Sequence, residues 1–440
     1  MTDLSWAIVV LVTLFSLICL TKVFGSHLNA EWSRKIIHVG MGILSLGFPF
    51  MFEHRLTVLY LGLVTLPLLL ALRLNSKLRT GVGSVLLGVS RNSFGELYFL
   101  VALVVVFLFY QDPYEYIISM SVLTFADSIA ALVGISYGRF SLSHGSEDSK
   151  SSEGSIMFFI IAYFCTLIPL QLMSDVGRAE VLVISLLIGI LAALIEMVST
   201  DGNDNILLPI LTFAFLRHNI LQPIEEILII MSIMILILIP CFIIYKLTTI
   251  TRLSIVYSLL TAYILLIQGG YPWLIPAFML FLTFGILPSM PKEERQITHN
   301  YRVIACNTIV GIVCLILSIF LPAYQSILYL SFSLANASHL NLNTYSRLVN
   351  FKQQSPTISV LYSLFKSGIF VVLPTFMISN LGSIAIIIYL LFLLASSYFA
   401  IYLTKKFDYR HITDEKLRGH TLSVGILVFV FTIVITQWVN

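Results

Sequence analysis

Residues 179–199, AEVLVISLLIGILAALIEMVS, decide the fold class of this chain. A helix needs roughly 20 mostly apolar residues to cross a bilayer, and this stretch is long enough to do so. Similar runs recur along the sequence, and because backbone groups in lipid must be satisfied within each segment, they are predicted to be helices. The expected fold is therefore an all-α integral membrane protein, a polytopic bundle of about sixteen transmembrane helices. The predicted spans lie near 5–24, 36–52, 56–72, 96–111, 114–136, 154–173, 179–199, 206–218, 224–245, 253–268, 271–288, 302–321, 323–336, 357–377, 381–403 and 420–438.

The composition indicates the same class. Hydrophobic residues make up 58% of the chain and charged residues only 11%, whereas a soluble protein carries roughly 25% charged residues. The net charge of +3 is too small to indicate nucleic-acid binding. The five cysteines lie in apolar segments without metal-ligand spacing or a disulfide framework, so they are predicted to be packing residues.

The distribution of Lys and Arg predicts the orientation of the helices. With the N-terminus outside, most of the 25 basic residues fall in loops on the cytoplasmic side, and the outside loops hold only Arg55, Arg178 and Arg217. This is the excess of positive charge expected for cytoplasmic loops. The same assignment places the polar stretches of the N-terminal half on the cytoplasmic side of the membrane, which would be the inner or plasma membrane in a bacterium.

The acidic residues divide the chain into two predicted membrane modules. Acids are concentrated before residue 227, and no acid lies within a predicted span of the second half. The segment 246–252, KLTTITR, is the best candidate for a boundary. The modules are therefore predicted to cover 1–246 and 247–440.

Two polar stretches near predicted helix starts contain candidate functional residues. In 31–38, EWSRKIIH, Arg34 and His38 are expected to share a helix face at the membrane boundary, beside Lys35. Basic residues there also act as positive-inside anchors, and a lone His in an apolar helix is more often a packing residue. In 91–98, RNSFGELY, Glu96 falls in a first helical turn, where a carboxylate also simply favours the helix dipole.

Asp127 is the most informative residue because it lies inside a predicted span. Ionisable residues within a membrane are energetically costly and usually functional. Gly134 and Gly138 follow on the same helix face, where small residues allow a close approach of another helix.

The loop after this span places Arg139, Lys150 and Glu153 before the next apolar helix. Capping explains part of the pattern, since Ser152 and Glu153 suit a first helical turn. It does not explain the presence of Asp127 one helix earlier, so the loop is a candidate part of the same site.

The stretch 199–205, STDGNDN, is a predicted Mg²⁺ site. Asp201 and Asp204 are three residues apart on a short turn between two spans, and Mg²⁺ prefers one or two carboxylates with phosphate and water. The turn carries no Lys or Arg, unlike its neighbours. Asp-Gly-Asn is also ordinary turn chemistry.

These residue types meet the requirements of phosphoryl transfer. The chain lacks a P-loop, a His-Glu-x-x-His motif and a Gly-x-Ser-x-Gly motif. Phosphoryl transfer requires a metal, positive charge on the phosphates and a group that positions the attacking hydroxyl. Carboxylates for Mg²⁺, with basic side chains for phosphate, would supply all three.

Taken together, these stretches resemble the dolichol kinase and phytol kinase family. That family also includes CTP-dependent diacylglycerol kinase and is distantly similar to phosphatidate cytidylyltransferase. The resemblance covers about residues 30–220, and it implies Mg²⁺-dependent transfer of a phosphoryl group from CTP to a lipid alcohol, either a prenol such as phytol or dolichol, or diacylglycerol. The matching segments are RKIIH (34–38), RNSFGE (91–96), FADSIAALVG (125–134) with Gly138 and Arg139, KSSEGS (150–155) and STDGNDN (199–205) followed by Pro209.

The resemblance also implies roles for individual residues. Those expected in catalysis are Asp127, Lys150, Glu153 and Glu96. Those expected to bind the nucleotide are Arg34, Lys35, His38 and Arg139. Those expected to hold the metal are Asp201, Asp204 and Asp127.

The second half is similar, over short segments only, to the phytyl-phosphate kinase family. The segments are 269–273, 301–307 and 334–339. That family has acids where this chain has Asn336 and His339. Because Mg²⁺ requires anionic oxygen ligands, the second half is expected to be a scaffold, a lipid-binding groove or an oligomer contact.

Two other functions remain open from the sequence. A cytidylyltransferase would use similar groups to form a CDP-lipid. A transporter would use Asp127, Glu196 and Lys366 to line a path through the membrane. The near absence of intramembrane charge in the second half argues against a transporter.

Overall fold

The computed structural model describes residues 2–24, 30–75, 77, 94–141, 150–245, 250–286 and 300–378, and separate positions between 387 and 430. These residues are almost entirely helical and include no β-strand. Within them, nine helices are long and apolar enough to cross a membrane. The prediction of an all-α fold is therefore confirmed, and the nine helices have the length and composition expected of membrane spans. The count of sixteen spans and the outside N-terminus stay predictions.

The chain divides into two compact units, Met1–Met231 and Ser232–Asn440. The division falls inside helix α11 (Ile224–Tyr245), and the predicted modules, 1–246 and 247–440, stay predictions. The other described helices of the first unit are α1 (Asp3–Phe24), α2 (Ala30–Leu46), α3 (Phe48–Met51), α4 (Arg55–Leu74), α5 (Gly95–Phe109), α6 (Pro113–Ser121), α7 (Asp127–Tyr137), α8 (Ser152–Met173), α9 (Arg178–Val198) and α10 (Asp204–Ile220).

Helix α9 is largely buried in the first unit. Ile184, Ile188, Leu191 and Ile195 are almost completely buried and recur at intervals of three and four residues, which places them on one helix face. The helix ends at Val198, and the turn 199–203 joins it to α10. The end of α9 and the start of α10 therefore lie close together.

Helices α6 and α7 form one continuous span, Pro113–Tyr137, with a π-helical turn at Val122–Ala126. Small residues bring α7 against α8. A Cβ atom added at Gly154 would lie 3.1 Å from the Ala130 carbonyl oxygen and 3.4 Å from the Gly134 Cα. Glycine at these positions permits the close approach, as the sequence predicted for Gly134.

In the second unit, one helix runs well beyond its predicted end. The sequence predicted a span at 323–336, but the helix continues to Asn350 because its polar residues are buried in the unit rather than exposed in a loop. This helix is α14 (Gln325–Asn350). It is accompanied by α12 (Arg252–Ile286, broken at Gly270), α13 (Tyr301–Phe320), α15 (Pro356–Ser367) and α16 (Leu373–Ile378).

Candidate functional site

Asp127 begins α7 directly after the π-helical turn, a feature that often occurs at functional sites. Lys35 on α2 donates a hydrogen bond from Nζ to Asp127 Oδ2 at 2.6 Å. The two side chains are only 7% and 15% exposed. Their mutual attraction offsets part of the cost of removing both charges from water. The residues are 92 positions apart in sequence.

His38 lies beside this pair. Its Nε2 is 3.2 Å from the Leu123 carbonyl oxygen and 3.7 Å from Asp127 Oδ2. Because a carbonyl only accepts hydrogen bonds, the contact to Leu123 requires the proton on Nε2. The other side of the ring meets Phe99 edge-on, with the ring centroids 5.4 Å apart. His38 therefore contacts the π-helical turn that precedes Asp127.

A second buried pair joins Lys150 and Glu196. Lys150 Nζ lies 2.9 Å from Glu196 Oε1 and also donates to the Glu196 backbone oxygen. Burial alone would lower the pKa of Lys150, but the carboxylates of Glu196 and Asp204 outweigh it and raise that pKa above its usual value. Lys150 is thus held as an ammonium group close to carboxylates.

The turn between α9 and α10 has a left-handed backbone at two consecutive residues. Asp201 has φ 58° and Gly202 has φ 81°. Glycine adopts this region without steric cost, and Asp is among the few other residues that tolerate it. Asn203 N donates to the Thr200 oxygen at 3.0 Å and closes the turn. The turn brings Asp201 close to Asp204, which is the first residue of α10.

These segments enclose a cavity of about 400 Å³. It lies where α9 ends and where α8 and α10 begin, and it extends along α7 to Ile135. The charged residues that line it are Arg34, Lys35, Asp127, Lys150, Glu196, Asp201 and Asp204. Six of these were predicted as site residues from four separate stretches of sequence.

The first turn of α8 forms another part of the wall. Ser151 caps the helix by accepting a hydrogen bond from Gly154 N at 3.1 Å. Ser151, Gly154 and Ser155 all line the cavity. Backbone N–H groups at a helix N-terminus favour anions, so this wall adds positive potential to that of the basic side chains.

Four predicted residues are not part of the cavity wall: His38, which lies beside the Lys35–Asp127 pair, and Glu96, Glu153 and Arg139. Glu96 pairs with Arg73, with 2.6 Å between Oε1 and Nη1, and lines a separate, mainly apolar cavity of about 70 Å³. Glu153 accepts hydrogen bonds from Phe140 N at 3.5 Å and Ser152 Oγ at 3.4 Å. Arg139 is exposed. Glu153 thus contacts its own helix start and the preceding loop.

Glu196 and Ser155 belong to the cavity but were not among the predicted site residues. The sequence analysis assigned Glu196 only to a possible transport path. The residue lies in an apolar span, near the end predicted to face the cytoplasm. That intramembrane position, three residues before the turn 199–203, was a signal that could have identified it. Ser155 lies in the segment KSSEGS (150–155), where the sequence predicted site roles only for Lys150 and Glu153.

The carboxylates of the cavity suit Mg²⁺ only if a bound ligand supplies further oxygen atoms. Among the described residues, no group of three or more His, Cys, Asp or Glu side chains could hold a metal ion. Asp127, one of the three predicted metal ligands, is engaged by Lys35. Asp201 and Asp204 also line the cavity, and Mg²⁺ commonly uses one or two carboxylates with phosphate oxygens and water. The residues therefore fit Mg²⁺ that binds together with a phosphate group.

Comparisons with protein families, curated proteins and solved structures find no match to this chain. The function must therefore be argued from the residues and geometry of the cavity.

Proposed function

We propose that this protein is a membrane-embedded kinase that transfers a phosphoryl group from CTP to a lipid alcohol. The observation that supports it best is the convergence of four sequence-distant stretches on one cavity at the ends of apolar helices. The cavity combines basic groups for phosphates with carboxylates for a metal and for a hydroxyl. These are the groups that phosphoryl transfer requires.

The charges of the cavity favour a nucleotide that binds with a divalent cation. Four acidic and three basic side chains line it, so a highly charged triphosphate alone would meet an excess of negative charge. In the proposal, Asp201 and Asp204 hold Mg²⁺, and Mg²⁺ when bound neutralises charge on the phosphates. Lys150, Arg34 and Lys35 then contact the phosphate oxygens.

The proposed acceptor is a lipid alcohol, a prenol such as phytol or dolichol, or diacylglycerol. Ala130, Ala131 and Ile135 on α7 give the cavity an apolar side, and Ile135 is 69% exposed. An apolar wall that reaches the helix surface suits an acceptor that enters sideways from lipid. A soluble alcohol would have no use for such an entrance.

The proposed topology has about sixteen spans, with the N-terminus outside and the cavity at the cytoplasmic side. It is tested with single cysteines at two exposed positions at opposite ends of α9, Asn203→Cys and Asp175→Cys. A membrane-impermeant thiol reagent added to intact cells should label the second and spare the first. The reverse pattern would overturn the orientation.

The function is tested with purified protein, a panel of lipid alcohols and CTP labelled at either the α or the γ phosphate. A kinase moves the γ label into a lipid monophosphate and leaves the α label in CDP. A parallel assay supplies lipid monophosphates as acceptors, since a cytidylyltransferase joins a lipid phosphate to the α phosphorus and releases pyrophosphate. Incorporation of the α label into a CDP-lipid would indicate that activity instead, and ATP in place of CTP tests the nucleotide. Absence of lipid labelling with every acceptor and both nucleotides would refute the proposal.

Asp204→Asn and Asp175→Asn serve as the test and control variants for that assay. Both remove one carboxylate, but only Asp204 lines the cavity, whereas Asp175 is exposed in the loop before α9. The first should lower the rate of lipid labelling by about 10²-fold or more, and the second should leave it unchanged. Equal activity of both variants would show that the reaction does not take place in this cavity.

A further inference from the structure

Glu196 presents its two carboxylate oxygens to different surroundings. Oε1 accepts a hydrogen bond from Lys150 at 2.9 Å. Oε2 is buried and has no hydrogen-bond partner among the residues that the structure describes. The residue lies within the span Arg178–Val198, near its end, and lines the cavity. An acceptor oxygen at this depth is costly unless something donates to it.

Ser155 repeats this pattern on the facing element, α8. The residue is only 9% exposed and lines the same cavity. Its Oγ is buried and, within the described part of the chain, also has no hydrogen-bond partner. A serine hydroxyl both donates and accepts. The cavity therefore holds an unpartnered acceptor from α9 and an unpartnered donor-acceptor from α8.

We infer that Glu196 Oε2 and Ser155 Oγ bind the hydroxyl of the acceptor and that Glu196 takes its proton. The inference rests on the proposed function and adds the acceptor's place within the site. A hydroxyl can donate to the carboxylate oxygen and accept from the serine, which satisfies both orphaned atoms at once. The hydrocarbon chain would then lie along the apolar wall formed by Ala130, Ala131 and Ile135.

The chemistry balances with a nucleoside triphosphate as the donor. The acceptor oxygen forms a bond to the terminal phosphorus, and the bond from that phosphorus to the bridging oxygen breaks. The nucleoside diphosphate leaves with the electron pair of the broken bond. The hydroxyl proton passes to Glu196 Oε2 and afterwards to water. Lys150, which stays hydrogen-bonded to Oε1, fixes the orientation of the carboxylate.

The carboxylates of this cavity then have two different roles. Asp201 and Asp204 lie on the turn and are assigned to the metal, whereas Glu196 lies inside a membrane span and is assigned to the acceptor. A metal ligand and a proton acceptor respond differently to substitution. Loss of a metal ligand raises the Mg²⁺ concentration needed for activity, whereas loss of a proton acceptor lowers the rate at saturating Mg²⁺.

The test compares Glu196→Gln with Glu180→Gln in the full-length protein. Both residues are on α9, but Glu180 lies in its first turn, at the opposite end from the cavity. Glutamine keeps the shape of the side chain and can still accept a hydrogen bond from Lys150. We expect Glu196→Gln to lower kcat by about 10²-fold or more, with an unchanged Mg²⁺ requirement and unchanged CTP binding by equilibrium dialysis. Glu180→Gln should match the wild type.

Two results would overturn the inference while leaving the proposed function in place. One is a kcat for Glu196→Gln close to that of the active wild type. The other is a kcat restored by added Mg²⁺, which would make Glu196 a metal ligand. If the wild type itself transfers no phosphate, the proposed function fails instead.

Ser155→Ala tests the same acceptor site independently, also if Glu196→Gln does not fold. It removes one hydroxyl without placing a charge or a cavity-filling group. We expect a several-fold rise in KM for the lipid alcohol and no change in KM for CTP. Equal changes in both KM values, or no change in either, would contradict an acceptor site at Ser155.

Discussion

The two units of this protein bury polar groups in different ways. In the first unit, two Lys–carboxylate pairs, Lys35–Asp127 and Lys150–Glu196, lie at the wall of an open cavity. In the second unit, the buried polar residues are concentrated on α14 and are mostly Ser, Thr and Asn. No Asp or Glu of the second unit falls within the residues that the structure describes.

The difference has a physical reason. Neutral polar side chains can hydrogen-bond to helix backbone and to one another, as Asn336 does with the Phe332 oxygen at 2.9 Å and with Asn307 at 3.3 Å. Such bonds specify how helices pack without requiring water. Charged groups require a partner of opposite sign, and in a cavity open to ligand they can exchange it. The first unit therefore has the charged groups of a binding site. Helix α14 has mostly neutral polar groups, two of which, Asn336 and His339, line a cavity of about 110 Å³.

The largest effect is expected from breaking one charged pair. Lys35→Met should destabilise the folded protein by about 3–5 kcal/mol, because it leaves the Asp127 carboxylate buried without its cation. Thermal unfolding in detergent measures the loss. The double variant Lys35→Met/Asp127→Asn should recover much of the stability but no activity. A single variant as stable as the wild type would show that the pair contributes little to folding.

Next in size is the effect of the turn carboxylates on transfer. Asp201→Asn and Asp204→Asn should each lower the rate by about 10²-fold or more, since each removes a charge that the phosphoryl transfer site uses. Asn tolerates the left-handed backbone found at residue 201, so the turn should keep its shape. Rates and detergent stability are compared for each variant. Near-normal rates in both variants would show that this turn does not hold the metal.

A smaller effect on stability, and none on transfer, is expected from α14. Asn336→Ala leaves the Asn307 amide without this partner and should cost about 1–3 kcal/mol of stability. Phosphorylation of the lipid alcohol should stay within a few-fold of normal, also in Asn336→Ala/His339→Ala. Neither the wild type nor the variants should convert a prenyl monophosphate to a diphosphate. If the wild type forms the diphosphate and the double variant does not, the second unit is itself a catalyst.

The smallest expected change concerns pH. Because the pKa of Lys150 is raised, its contribution to stability is fully present below the ordinary lysine pKa and is lost only as pH rises through the higher folded value. From about pH 6 to 9 the ammonium should stay charged. The unfolding temperature should therefore follow the same pH profile in the wild type and in Lys150→Arg, which is charged throughout. A fall in the wild type alone within this range would contradict the raised pKa.

The sequence by itself determined the fold class and most of the cavity's charged residues. Apolar runs such as 179–199 must form helices because lipid offers no partners to an open backbone. An acid inside such a run, Asp127, and the turn residues Asp201 and Asp204 stand out by the same local logic. The described structure places all three at one cavity.

Only the tertiary structure decided which groups meet. Lys35 pairs with a residue 92 positions away, and Glu196 pairs with Lys150, because packing of α2, α7, α8 and α9 brings them together. Packing of α4 against α5 likewise brings Glu96 to Arg73. Within the second unit, burial of its polar residues keeps α14 continuous to Asn350. Hydropathy and spacing report the environment along one segment. The partner of a buried charge depends on which helices pack side by side, and local sequence does not contain that information.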